Sequence, residues 1–167
     1  MKSKSEIISD TYGKRLRVRV CGLCFEGDKL LLVRHTSLTE GLFYAPPGGG
    51  MEFGENAECC LIREFEEETG LQIEVGEFLF VHEFNAPPLH AIELFFSVHA
   101  KGGKLITGSD PEMAAEHQII ESVAFMSPQE IQNCSDASLH HVLRLCRQPA
   151  DLLEMQGYFK YEHKTLK

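Results

Sequence analysis

Alternation and periodicity divide the chain into a series of elements. Arg17 to Phe25, RVRVCGLCF, is an alternating β-rich run, Glu26-Gly27-Asp28-Lys29 reads as a tight turn, and Leu30 to Arg34 returns as the second strand of a hairpin. Thr36 to Phe43 is predicted as loop. Leu71 to Glu74 and Phe78 to Phe84 read as strands broken at Gly76, and Ile92 to Ala100 as a further strand ended by Lys101-Gly102-Gly103-Lys104. Thr107 to His117 predicts a loop or short helix, and Ser122 to Met126 a last strand. Ser127-Pro128-Gln129-Glu130 has the form of a capping box with Pro at the first helical position, which starts a helix. A second helix is predicted over Leu139 to Cys146, while the residues after Gln148 carry no assignable pattern. The sum is a mixed sheet with few helices, an α+β or three-layer arrangement.

The helix between the hairpin and Leu71 has the strongest pattern. Asn56 can cap it and Gly70 can end it, giving about four turns over Ala57 to Thr69. At about 100° per residue, Glu64, Glu67 and Glu68 fall within roughly 100° of arc. Leu61, Ile62 and Phe65 take the neighbouring arc and predict the buried stripe, and Glu66 lies on the opposite side, in solvent. Like charges at these spacings repel and raise one another's pKa, and a divalent cation removes that conflict.

Composition bounds the possibilities. The 167 residues, 43% hydrophobic and 25% charged, suit one domain, with a core of about 17–147 and an unassigned tail at 148–167. A net charge of -9 argues against a nucleic-acid polymer as partner, since such binding rests on clustered Lys and Arg. No apolar run of about 18 residues spans a bilayer, and MKSKSEIISD lacks the apolar centre of a signal peptide, so neither membrane nor export is expected and the cytoplasm is the expected location. Cys21 and Cys24 form a CxxC, but their odd separation on a strand sends them to opposite faces. Cys59 and Cys60 are adjacent, and Cys134 and Cys146 are isolated. Reduced cysteines acting as small buried hydrophobes account for all six.

A glutamate-rich helix is ordinarily a solvated face. Here Gly48-Gly49-Gly50 precedes it, where backbone oxygens can approach a metal or phosphate closely, and Arg63 stands four before Glu67 and eight after Glu55, in reach to orient a carboxylate. Hard ions such as Mg²⁺ take such oxygen ligands. His82, His90, His117, His140 and His141 show no ligand spacing and read as structural or solvated.

These residues resemble the Nudix family. Its box, G-x5-E-x7-R-E-U-x-E-E-x-G-U with U bulky and apolar, is met by Gly49, Glu55, Arg63, Glu64, Phe65, Glu67, Glu68, Gly70 and Leu71, and Pro46-Pro47 with the flanking hairpin also look like the family. The looser resemblance runs from about Arg17 to Glu130. It implies an α/β/α sandwich around a mixed sheet with a loop-helix-loop catalytic element, and Mg²⁺- or Mn²⁺-dependent hydrolysis of a nucleoside diphosphate linked to another group. Carried over, Glu64 and Glu68 would be the main metal ligands, and Glu67 a ligand or a holder of water. A carbonyl of Gly48 or Gly49 would join them, with Arg63 and Glu55 as the supporting pair. Glu116, ahead of Glu112, is the candidate for a further acid outside the box. Arg34 and His35, at the end of the second strand, can reach an anionic substrate. Phe43 and Tyr44 stand where the family commonly has Trp, which leaves base stacking there in question.

Pro87, sixteen after Leu71, is a marker the family associates with ADP-ribose, so the resemblance leans to ADP-ribose or a nucleoside diphosphate sugar. Nucleoside triphosphate cleavage to monophosphate and pyrophosphate is the alternative, and a non-catalytic nucleotide sensor is a second. Family members are commonly dimers, so a homodimer is the assembly the resemblance brings with it, although no segment marks an interface.

Overall fold

The computed structural model describes residues 4–36, 42–109 and 118–162. The predicted hairpin forms as β1 (Leu16–Glu26) and β2 (Lys29–Thr36), but the two strands pair only beside their turn, at Phe25↔Leu30 and Glu26↔Lys29. Beyond it they part. β1 runs parallel to β6 (Leu89–Gly103) and antiparallel to the short β4 (Gly48–Gly50), while β2 takes β3 (Leu42–Ala45) and β7 (Ile120–Met126), both antiparallel. β5 (Leu71–Ala86) pairs antiparallel with β6, and β8 (Gly157–Glu162) joins β5 in parallel, so the order is β3-β2-β1-β6-β5-β8. Mixed strands with helices packed on them make this the expected α+β fold.

Two apolar layers cover the strands. Val20, Cys24, Leu31, Val98, Leu71 and Ile73 pack with Cys60, Leu61 and Phe65 of α2 (Ala57–Thr69). Cys21, Leu23, Leu30, Leu32, Phe80 and Phe95 pack on the other side with Ile131 of α3 (Pro128–Gln132) and with Leu139, Val142, Leu143 and Leu152. Cys21 and Cys24 therefore do face opposite ways, as their spacing requires. Each fully buried large side chain, Phe65 or Phe80 for instance, contributes about 2–3 kcal/mol of transfer free energy.

Several sequence expectations are corrected. The strands flanking Gly76 are one continuous β5, because a register shift between Val75 and Phe78 absorbs the irregularity and Ser97 Oγ accepts from the Glu77 N–H at 2.9 Å. β3 begins at Leu42, inside the predicted loop, by pairing with β2. The helix predicted over Leu139 to Cys146 is only a 3-10 turn, His141–Arg144, since Leu139 bridges to Tyr44 and the His140 N–H donates to the Tyr44 carbonyl at 2.8 Å. The tail supplies the β8 strand, after a second 3-10 turn at Pro149–Glu154, and a helix, α1 (Lys4–Tyr12), precedes β1. Ile62 is exposed; the buried stripe of α2 is Cys60, Leu61, Phe65 and Thr69.

Candidate active site

α2 starts and stops as its residues dictate. The Asn56 side chain accepts the Cys59 N–H at 2.8 Å, and Gly70 closes the helix with φ +72, its N–H on the Glu66 carbonyl. Buried Leu61 and Phe65 fix the rotation of the helix about its axis, which turns Glu64 and Glu68 toward β4, brings Glu67 onto Arg63 and leaves Glu66 exposed.

Arg63 gathers the carboxylates. Its Nε and NH2 donate to the two oxygens of Glu55 at 2.9 and 3.0 Å, and its NH1 donates to Glu64 at 2.9 Å and Glu67 at 3.2 Å. The bidentate pair holds the Glu55 carboxyl down at about 2, through the hydrogen bond from Arg63 before any other cause. Glu64 moves the other way, raised by burial against the opposing pull of Arg63. Burial also lifts the Cys60 thiol to about 12, so it is a packed neighbour of Arg63 rather than a nucleophile.

The glycine strand completes the cradle. Glu68 Oε2 accepts the Gly48 N–H at 2.9 Å, and a Cβ on Gly49 would lie 2.2 Å from the Glu64 carboxyl, so only glycine admits this approach. Hard oxygen donors from Glu64, Glu67 and Glu68, crowded beside a backbone strand, are the donor set a divalent cation of the Mg²⁺ type takes.

The other predicted residues distribute unevenly. His35, on β2, stacks on Phe43 with ring centroids 5.5 Å apart, and burial, with Arg19 and His140 nearby, lowers it to about 3, so it is neutral at pH 7. Arg34 is half-buried, and its Nε has no hydrogen-bond partner among the described residues. Tyr44 packs against the layer opposite α2 and carries the His140 contact. Pro87 lies in the β5–β6 turn, five positions from His82 and thus roughly 15 Å along the strand, where its neighbour Pro88 accepts the Lys14 N–H. Glu112, Glu116 and His117 lie outside the described residues.

Chain spacing gave no sign of a second polar group. Glu93 on β6 is buried, and one of its oxygens, Oε2, accepts from His82 Nδ1 at 2.9 Å and His140 Nε2 at 3.0 Å. His82 Nε2 reaches His141 Nδ1 at 2.9 Å. The two histidines read as lacking ligand spacing thus meet at one carboxylate. Burial acts to raise Glu93, but His140, the hydrogen bonds from both imidazoles and the charge of Arg19 hold it well below the usual range. A carboxylate only accepts, so each imidazole presents an N–H to it. Arg19 lies on the other side of Glu93, with Nε 3.8 Å from Oε1 and NH2 donating to the Gly48 carbonyl at 3.1 Å. One signal for this group was on view: a lone glutamate inside the apolar strand Ala91-Ile92-Glu93-Leu94-Phe95-Phe96.

The chain is similar to known proteins over most of its length. The model of the NUDIX domain matches residues 13–146. An ADP-ribose pyrophosphatase of Methanocaldococcus jannaschii is 34% identical over 99 residues, covering 58% of this chain and 59% of that protein. An NAD-capped RNA hydrolase NudC of Pseudomonas aeruginosa is 31% identical over 96 residues, 58% of this chain and 34% of that protein. The chain therefore spans well under two thirds of these curated relatives. Among solved structures, a NUDIX hydrolase from Nitrosomonas europaea superposes with a TM-score of 0.65 at 22% identity, covering 82% of this chain and 89% of that one. A MutT NUDIX hydrolase from Burkholderia pseudomallei gives 0.64 at 22%, covering 85% and 98%.

Proposed function

The chain belongs to the NUDIX family, and from that premise we propose that it is a metal-dependent pyrophosphohydrolase acting on the diphosphate of a nucleoside diphosphate joined to another group. The observation that carries the reading is the Arg63 fork, which holds Glu55 while drawing Glu64 and Glu67 together beside the Gly48–Gly50 strand. Glu64 and Glu68 would be the principal ligands of Mg²⁺ or Mn²⁺, Glu67 a further ligand or a holder of water, and a Gly48 or Gly49 carbonyl another donor. Bound there, the ion would supply charge neutralisation on the phosphoryl oxygens and acidify the attacking water. Arg63 and Glu55 keep the carboxylates aimed, and Glu116 is the proposed proton acceptor from outside the helix.

Within that class we favour ADP-ribose or a nucleoside diphosphate sugar, split to a nucleoside monophosphate and a sugar phosphate. The name of the archaeal relative and the position of Pro87 support this. A nucleoside triphosphate is the second reading, and the net charge of -9 speaks against an RNA polymer. We propose that residues 1–167 form a single domain, a reading that the pairing of β8 with β5 supports. The test is kcat/KM for ADP-ribose against each NTP and dNTP with Mg²⁺ and chromatographic product identification. A tenfold preference for any triphosphate rejects the substrate reading, and no turnover of any phosphoanhydride rejects the class.

A further inference from the structure

Arg19, Glu93 and His82 form a row across three adjacent strands. Arg19 is opposite Glu93 in the parallel β1·β6 pair, and Glu93 is opposite His82 in the antiparallel β5·β6 pair. Residues opposite one another in a sheet share a face, so the three side chains stand side by side. His140 closes over the row from a fourth segment, held there by the Leu139 bridge and its N–H on Tyr44. The result is a buried carboxylate whose position is set from two sides.

Such an arrangement leaves Arg19 unusually placed. Its guanidinium carries five N–H donors, of which one is used on the Gly48 carbonyl; Nε has no hydrogen-bond partner among the described residues, and 3.8 Å to Glu93 is an ion pair without a hydrogen bond. The side chain retains 24% exposure, so it is open to a ligand. Gly48 in turn donates to Glu68, which puts the Arg19 head one residue from the glutamate group. A forked cation fixed beside a carboxylate cluster matches the two ends of a metal-bridged diphosphate: oxygens that face the cation, and oxygens that face the glutamates through their ion.

We propose that Arg19 binds the substrate's diphosphate next to the glutamate cluster, and that Glu93, gripped by His82 and His140, is the positioning residue that aims it. This assignment rests on the pyrophosphohydrolase reading for its biological substrate, but the ligand chemistry is that of any diphosphate, and the probe can be inorganic pyrophosphate. The His82 and His140 nitrogens serve here as N–H donors to Glu93: the Val142 N–H contact on His140 Nδ1 leaves its Nε2 to carry the proton.

The experiment is titration calorimetry of pyrophosphate with Mg²⁺ into wild type, Arg19→Ala, Arg19→Lys, Glu93→Gln and the double variant Arg19→Ala/Glu93→Gln, each checked by circular dichroism. Arg19→Ala should weaken binding by about tenfold or more, Arg19→Lys by less, since it keeps the charge and loses the fork. Glu93→Gln should weaken it severalfold in the presence of Arg19 and add nothing in its absence; a purely structural glutamate would give no such coupling. The double variant removes both charges and so remains informative if either single variant fails to fold. Wild-type affinity in Arg19→Ala or in the double variant overturns the proposal, as does zinc retained stoichiometrically by wild type and lost in His140→Ala, which would make the His–Glu–His group a metal centre. If pyrophosphate binding follows the expected order while no phosphoanhydride is turned over, the binding assignment stands and the enzymatic reading fails.

Discussion

The molecule gathers carboxylates twice, by opposite means. Around α2, Glu64 and Glu67 of the helix and Glu55 just ahead of it, all partly buried, converge on one arginine, and Glu68 turns to a backbone N–H. Inside the sheet, a single buried glutamate is enclosed by two imidazoles and faced by one guanidinium. The first group keeps more negative charge than its one arginine compensates, which is an arrangement for capturing a cation. The second is internally satisfied, which is an arrangement for holding something still. Removing a charge should therefore cost chemistry in the first and stability in the second.

Chelation gives the largest effect: with excess EDTA, turnover of the preferred nucleotide should disappear, and full turnover under those conditions would mean the α2 carboxylates do not act through a metal. Glu68→Gln should lower kcat by about a hundredfold with an unchanged melting temperature. Glu93→Gln should show the reverse emphasis. It unpairs a buried charge group, worth about 3 kcal/mol, and should depress Tm by roughly 6–12 °C in calorimetry. If Glu68→Gln and Glu93→Gln gave the same pattern, the division between capture and support would be wrong.

Acid should also separate the two groups. His35 and His141 are lowered from 6.5 to about 3 and about 4, both mainly by burial, so the denatured chain takes up protons that the folded one refuses as pH falls below 6.5. Their stabilisation is complete above pH 6.5 and is lost toward pH 4. The carboxylates depressed in the fold, Glu55 and Glu93, add their loss only below about 4.5. Melting temperature followed from pH 7 to 4.5 should thus fall through the histidines, against a smaller opposing gain from Glu64, whose carboxyl burial raises in the fold, and His35→Gln should flatten that slope. The smallest effect belongs to Glu66→Gln: exposed and turned away from β4, it should leave kcat within twofold of wild type, and a loss like that of Glu68→Gln would put the wrong face of α2 in the site.

What could be read from the sequence was whatever depends on neighbours along the chain. Helix periodicity placed Glu64, Glu67 and Glu68 together and Glu66 apart, and Asn56 and Gly70 marked the ends of α2, because capping and facing are set within about four residues. Spacing put Arg63 in reach of a carboxylate, the family box named Glu55 as its partner, and the hairpin followed from its turn. Ile62 was misplaced because its position on the helix borders the buried arc, and the tertiary packing of α2, not its period, decides which border residue is covered. The residues after Gln148 were unreadable for a related reason: Gly157–Glu162 becomes a strand by pairing with β5, 77 positions earlier in the chain. Of the Arg19–Glu93–His82 row, the chain itself shows only a lone glutamate inside an apolar strand. Each member sits in an ordinary strand, and what joins them is the parallel register of β1 on β6 and the antiparallel register of β5, with His140 delivered by a bridge to Tyr44. Chain connectivity fixes faces and caps; strand register, which no single segment encodes, decides which buried charges meet.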